Sequence, residues 1–161
     1  MLQYNDGAIY KGEVINKKKH GYGEIIFLSG DKYRGNFVND KFDGFGTYES
    51  KDMIYKGNWK NGFCHGKGKE TWADGVEYQG DFVSGFKTGF GFHKWKDGSH
   101  YVGNWKKGVM HGQGKLTLPN KDVYDGGFVN GKKHGQGIFR LFNGEVHHGI
   151  FEKGKMISPK K

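Results

Sequence analysis

The chain has eight histidines and one cysteine as candidates for metal or covalent chemistry. His20, His65, His111 and His134 recur at one place in a repeating pattern, with Asp43 and Thr88 at the two other occurrences. A shared metal would need its ligands within about 2 Å of one ion. Side chains that return once per repeat, roughly 10 Å apart on successive hairpins, cannot converge that closely. Each is therefore read as a hydrogen-bonding group beside a turn, and the pair His147-His148 adds no site. Cys64-His65 puts a thiol beside a base, but neighbours along a strand point to opposite faces. A nucleophile needs its base within hydrogen-bond reach and a third group to orient that base, so Cys64 is read as an exposed thiol near a turn. The Gly-x-Gly pairs lack the strand-to-helix context of a phosphate loop, and the carboxylates form no recurring pair for acid–base work. No catalytic residue, metal site or cofactor is expected, and the chain is not read as an enzyme.

The repeat itself determines which elements carry these residues. Tyr10-Lys-Gly12 returns as Tyr33-Arg-Gly35, Tyr55-Lys-Gly57, Tyr78-Gln-Gly80, Tyr101-Val-Gly103, Tyr124-Asp-Gly126 and, degraded, His147-His-Gly149, in steps of 22 or 23 residues. Two residues after each glycine stands a large apolar side chain: Val14, Phe37, Trp59, Phe82, Trp105, Phe128 and Phe151. Asn61-Gly62 and Asn130-Gly131 lie inside units, Asp74-Gly75 and Asp97-Gly98 between them. Such dipeptides between apolar runs signal tight hairpins, because the turn requires positive φ. The reading is an all-β fold: an elongated single-layer antiparallel meander of tandem β-hairpins, with no helices of note. Residues 1–154 form the array, made of a half repeat over 1–9, units starting at Tyr10, Tyr33, Tyr55, Tyr78, Tyr101 and Tyr124, and a partial unit from His147. Residues 155–161 are read as a basic tail.

Alternation along the strands sorts the faces. Tyr55, Gly57 and Trp59 share one, while Lys56 and Asn58 point away. Glycine inside a strand is tolerated here because it lets rings of adjacent strands lie on bare backbone. That accounts for a chain with 30 glycines and 16% aromatic residues but only 34% hydrophobic residues.

The stretch Tyr-Lys-Gly-Asn-Trp-Lys-Asn-Gly-Phe-Cys-His-Gly-Lys-Gly-Lys-Glu-Thr-Trp-Ala-Asp-Gly (residues 55–75) resembles the MORN (membrane occupation and recognition nexus) repeat, and the resemblance extends from about Tyr4 to Phe151. It implies scaffolds and tethers, among them cytoskeletal and ciliary components and modules that hold a peptide on the sheet.

The expected function is a non-catalytic scaffold that binds an extended or helical protein segment along its aromatic sheet face, within a cytoskeletal or ciliary assembly of the cytoplasm. The candidate contacts are Trp59, Trp72, Phe82, Trp95 and Trp105 on the ring-lined face, and Phe86, Phe90 and Phe92 on the opposite one. There, unit four reads Phe86-Lys-Thr-Gly-Phe90-Gly-Phe92 where other units carry Lys67, Lys69, Gln113, Lys115 and Gln136, and Phe42 and Phe45 are grouped with this surface. The alternative follows from a net charge of +9: a tether to anionic lipid through Lys17, Lys18, Lys19, Lys132 and Lys133 at the turns. Nucleic acid is disfavoured because the basic residues do not interleave with the rings along one channel.

Overall fold

A computed structural model describes residues 1–159. Among them are fifteen strands and no helix, and each strand pairs antiparallel with its sequence neighbours in the order β1 to β15. By contacts the chain divides into two units, residues 1–74 with 82–85 and residues 75–81 with 86–161. The first unit contains β1 (Leu2–Gln3), β2 (Ile9–Ile15), β3 (Lys18–Ile26), β4 (Lys32–Val38), β5 (Lys41–Glu49), β6 (Met53–Lys60) and β7 (Phe63–Trp72). Strand β8 (Glu77–Val83) is divided between the units. The second unit contains β9 (Phe86–Lys94), β10 (His100–Lys106), β11 (Val109–Thr117), β12 (Val123–Val129), β13 (Lys132–Arg140), β14 (Val146–Glu152) and β15 (Lys155–Pro159).

The turns inside the hairpins are of the mirror-image type that the dipeptides predict. Asn61 and Gly62 have φ of 50° and 83°, and Lys107 and Gly108 have 48° and 82°. Where glycine is missing the same turn forms on strained residues, Asn16-Lys17 at 50° and 64° and Asn39-Asp40 at 48° and 72°. Turns between units are closed by short polar side chains instead: Asp6 Oδ1 accepts from Ala8 N at 3.0 Å, and Asp97 Oδ1 accepts from Ser99 N at 2.9 Å.

Each full unit is built on one local device. Register shifts between Gly12 and Val14, Gly35 and Phe37, Gly57 and Trp59, Gly103 and Trp105, and Gly126 and Phe128 mark a bulge in five hairpins. A bulge takes its residue out of the ladder, so that residue's carbonyl needs another donor. The unit's tyrosine supplies it: Tyr33 OH donates to Asn36 O at 2.9 Å, Tyr55 to Asn58 O at 2.8 Å, Tyr101 to Asn104 O at 2.8 Å and Tyr124 to Gly127 O at 2.9 Å. To reach it the ring crosses the glycine pair of its own hairpin. A Cβ on Gly103 would lie 2.4 Å from Gly114 Cα, and one on Gly114 would lie 2.3 Å from Tyr101 OH.

Between tyrosines stand the rings that follow each glycine. In the first unit, Phe37 meets Tyr10 and Tyr33 edge to face at 5.3 and 5.1 Å, and Trp59 meets Tyr33 and Tyr55 at 5.5 and 4.8 Å. In the second, Trp105 meets Tyr78 and Tyr101 at 5.4 and 5.3 Å, and Phe128 meets Tyr101 and Tyr124 at 5.1 and 5.2 Å. Edge-to-face pairs at these spacings add to the burial of the rings themselves. The ladder of rings is the core, and each rung hides the two beside it.

The array runs on past its expected end. Lys155–Pro159, read as tail, pairs with β14, where Phe151 faces Met156 and Glu152 faces Lys155. Lys160 and Lys161 lie outside the described residues.

Candidate functional site

The ring ladder leaves little of itself for a partner. Trp59, Phe82 and Trp105 are 9%, 2% and 7% exposed. The two indole N–H groups are also committed, Trp59 Nε1 to Gly46 O at 3.1 Å and Trp105 Nε1 to Gly91 O at 3.2 Å. The expectation that these three residues contact a partner is corrected on this point: a single sheet closes its ring side because flanking rings cover what the backbone does not. Trp72 and Trp95, at the margin of that side, remain accessible. Trp72 is exposed and donates to Glu70 Oε1 at 2.9 Å, and half-buried Trp95 packs against His93 at 4.5 Å.

One position per unit faces the ring side and varies: Lys19, Phe42, Cys64, Lys87, Met110 and Lys133. Phe42 stacks on Tyr33 with centroids 3.7 Å apart. It pairs with Phe37 across the hairpin and so faces the rings, not the surface of Phe45 where the sequence reading grouped it. Cys64 pairs with Trp59 and is half-buried, not exposed as expected, and burial pushes its thiol up to about 11. A thiol so far from ionising at neutral pH is a poor nucleophile. Lys19 Nζ lies 4.5 Å from the Tyr4 centroid and 3.3 Å from Asp40 Oδ1, with its side chain 12% exposed. Lys133 Nζ lies 4.5 Å from the Phe139 ring and 5.2 Å from Tyr124, and desolvation lowers its pKa. Two of the five lysines proposed for lipid are thus turned onto rings, whereas Lys17, Lys18 and Lys132 are exposed.

Two of the pattern histidines act at turns. His65 Nδ1 accepts from Ser84 N, and His111 Nδ1 from Asn130 N, both at 3.5 Å. Asp43 does the same for Asn61 N at 3.2 Å, which is why aspartate can stand where the other units have histidine.

On the opposite face the exposed aromatics gather. Phe86 and Phe90 are 58% and 59% exposed, with half-buried Phe92 alongside. Phe92 pairs with Val102 and Phe90 with Asn104 across β9 and β10, and exposed Val109 extends the patch. The first unit exposes Tyr22, Phe45 and Phe63 on this face. Tyr22 and Phe63 were not singled out from the sequence; their equivalence to Phe90 and Phe86 by repeat position was the signal that could have found them.

Beside the phenylalanine patch, Gln113, Asp125, Gln136, Ile138 and His148 surround a cleft of about 270 Å³ over Gly126, Gly137 and Gly149. Gly127 occupies the position where Asn36, Asn58 and Asn104 stand in other units. Each of those amides covers a carbonyl of the next strand, as Asn104 Nδ2 does with Gln113 O at 3.3 Å. Glycine at 127 carries no such cover, and a Cβ placed there would lie 3.6 Å from Gln113 Nε2.

Fold and site together define a tandem β-hairpin repeat whose ring side is its own core and whose other side bears exposed aromatics, the arrangement of a binding repeat. The MORN repeat model matches residues 10–32, 33–52, 55–77, 78–100, 101–123 and 124–146, and the chain belongs to the MORN repeat family. A 29-residue stretch, 18% of the chain, is 52% identical to the carbamoyl phosphate synthase small chain of Caldanaerobacter subterraneus and spans 8% of that protein's length. Among solved structures, the chain is similar in fold to the SAS-4 (dCPAP) TCP domain of Drosophila melanogaster, in complex with a proline-rich motif of Ana2 (dSTIL). The TM-score is 0.55 at 11% identity, covering 93% of this chain and 82% of that one.

Proposed function

We propose that the chain is a non-catalytic scaffold that holds an extended segment of another protein against the outward face of its second unit, as part of a cytoskeletal assembly. The observation that carries this is the exposure of Phe86 and Phe90 beside Phe92, a run of three phenylalanines that no sibling unit repeats; the neighbouring unit has Val109, Gln113 and Lys115 at the same places. Core packing does not require them, since the ring ladder is complete without them. Exposed aromatic clusters of this kind mark interaction surfaces. Membership of a family of binding repeats supports the reading, as does a fold neighbour solved with a peptide.

The test compares proteins captured by the wild-type chain with those captured by Phe86→Ser/Phe90→Ser, with thermal melting to confirm that the variant folds. The captured protein's contact segment is mapped by cross-linking and remade as a peptide. The reading predicts that this peptide binds the wild type and not the variant. If wild type and variant capture the same proteins, and the wild type sediments with phosphatidylserine vesicles, the lipid tether replaces it.

A further inference from the structure

Resting on the protein-binding reading above, we infer that the segment bound by the second unit is a polyproline II helix, lying across strands β9 to β14 with every third residue on the column Phe90, Gln113 and Gln136. These three occupy the same place in successive units, the residue between the two glycines of each Gly-x-Gly pair. Register ties them into one row. Phe90 pairs with Asn104, the Asn104 amide reaches Gln113 O at 3.3 Å, Gln113 pairs with Gly127, and Gln136 pairs with Ile150. Gln113 and Gln136 line the same cleft.

Two arguments select the occupant. The first is pitch. Equivalent positions of successive units are two strands apart, about 9.6 Å. A polyproline II helix has three residues per turn and rises about 3.1 Å per residue, so the same side returns every ~9.3 Å. A β-strand laid along the row returns to the same side every ~6.6 Å and falls out of step within one unit.

The second argument is chemical. The row offers an exposed ring at one end, Ile150 at the other, and two side-chain amides between them. Polyproline II has no internal hydrogen bonds and presents all its carbonyls, which Gln113 and Gln136 can meet as donors while a proline ring lies on Phe90. An α-helix has bonded its carbonyls internally and offers this row no backbone acceptor. Recognition of proline-rich segments by aromatic surfaces is an established mode of peptide binding. The fold neighbour's complex with a proline-rich motif agrees with it.

The experiment titrates fluorescein-labelled nonaproline against the chain and follows polarisation, beside a glycine–serine peptide of equal length and an alanine-based helical peptide. Saturable binding of nonaproline alone is expected. Phe90→Ala should weaken it about tenfold, and Gln113→Ala and Gln136→Ala should each weaken it by about three- to fivefold. All three side chains are exposed, so melting temperatures should stay at wild type; Lys60→Ala in the first unit is the control. Failure of nonaproline to bind, or unchanged binding in all three variants, overturns the assignment. If a captured partner depends on Phe86 and Phe90 while nonaproline does not bind, the polyproline assignment fails and the scaffold reading stands. Loss of both removes the scaffold reading as well.

Discussion

At the scale of single residues, the tyrosine of each unit does two jobs that phenylalanine could not combine. Its ring covers a pair of glycines, and its hydroxyl supplies the donor for a carbonyl that the bulge has removed from the ladder. Tyr101→Phe keeps the first and loses the second. The Tyr101 hydrogen bond to Asn104 O is part-buried, and losing such a bond costs about 1 kcal/mol, so urea unfolding of Tyr101→Phe should show a loss of about that size with an unchanged m-value. The same tyrosines set an alkaline limit. Burial pushes the Tyr101 phenol up to about 12, and burial with the Asp31 hydrogen bond does the same for Tyr48. In the unfolded chain a tyrosine ionises near pH 10. The folded state therefore holds protons that the unfolded state releases between about pH 10 and 12, and linkage makes stability fall across that window. Below about pH 10 the contribution is present in full. Thermal melts stepped from pH 9 to pH 12 check it: the midpoint should be flat at first and then decline as tyrosinate absorbance rises. The spacing of Tyr and Gly made the ring ladder legible in the sequence; the acceptor of the hydroxyl was not, because nothing in the period announces a bulge.

At the scale of the hairpin, dipeptides and parity carried the reading a long way and then misplaced particular side chains. Strand order, turn positions and the two faces follow from Asn-Gly, Asp-Gly and period-two alternation, and the structure has them. Phe42 went to the wrong face because its side is set by pairing with Phe37 across the Asn39-Asp40 turn. A lone sheet reads as unable to bury both sides of a ring, which makes Trp59 and Trp105 accessible by sequence, yet edge-to-face neighbours in the preceding hairpins, Tyr33 and Tyr78, close that gap. Lys19 and Lys133 looked like turn charges, but their strands place them over tyrosines. The turns also show where the chain tolerates strain. Lys17 sits at φ 64° in a turn where other units have glycine. A side chain in the left-handed region costs about 1–2 kcal/mol, part of which glycine recovers before its larger loss of freedom on folding offsets the gain. Lys17→Gly should therefore raise stability by about 0.5 kcal/mol in urea unfolding. A loss instead would mean that the lysine side chain holds the turn in a way its exposure does not suggest.

At the scale of the whole molecule, the question is whether net charge or surface shape chooses the partner. The chain carries +9, and a field of that sign draws anionic surfaces of any kind. The column Phe90, Gln113 and Gln136, however, has no charge in it. These two contributions respond differently to salt. Screening length shrinks from about 30 Å at 0.01 M to about 3 Å at 1 M, so attraction of exposed lysines to an anionic vesicle should be largely gone at high salt. Contacts between a proline ring and Phe90, or a carbonyl and a glutamine amide, involve no long-range field to screen. Between about 0.05 and 0.5 M salt, nonaproline affinity should change by less than about twofold, while any sedimentation with phosphatidylserine vesicles should disappear. A parallel fall of both would make the lysines at the turns, Lys17, Lys18 and Lys132 foremost, the source of the affinity. An unchanged peptide affinity would place it in the uncharged row, with the basic residues left to keep the chain soluble and to guard the ends of its strands against mispairing.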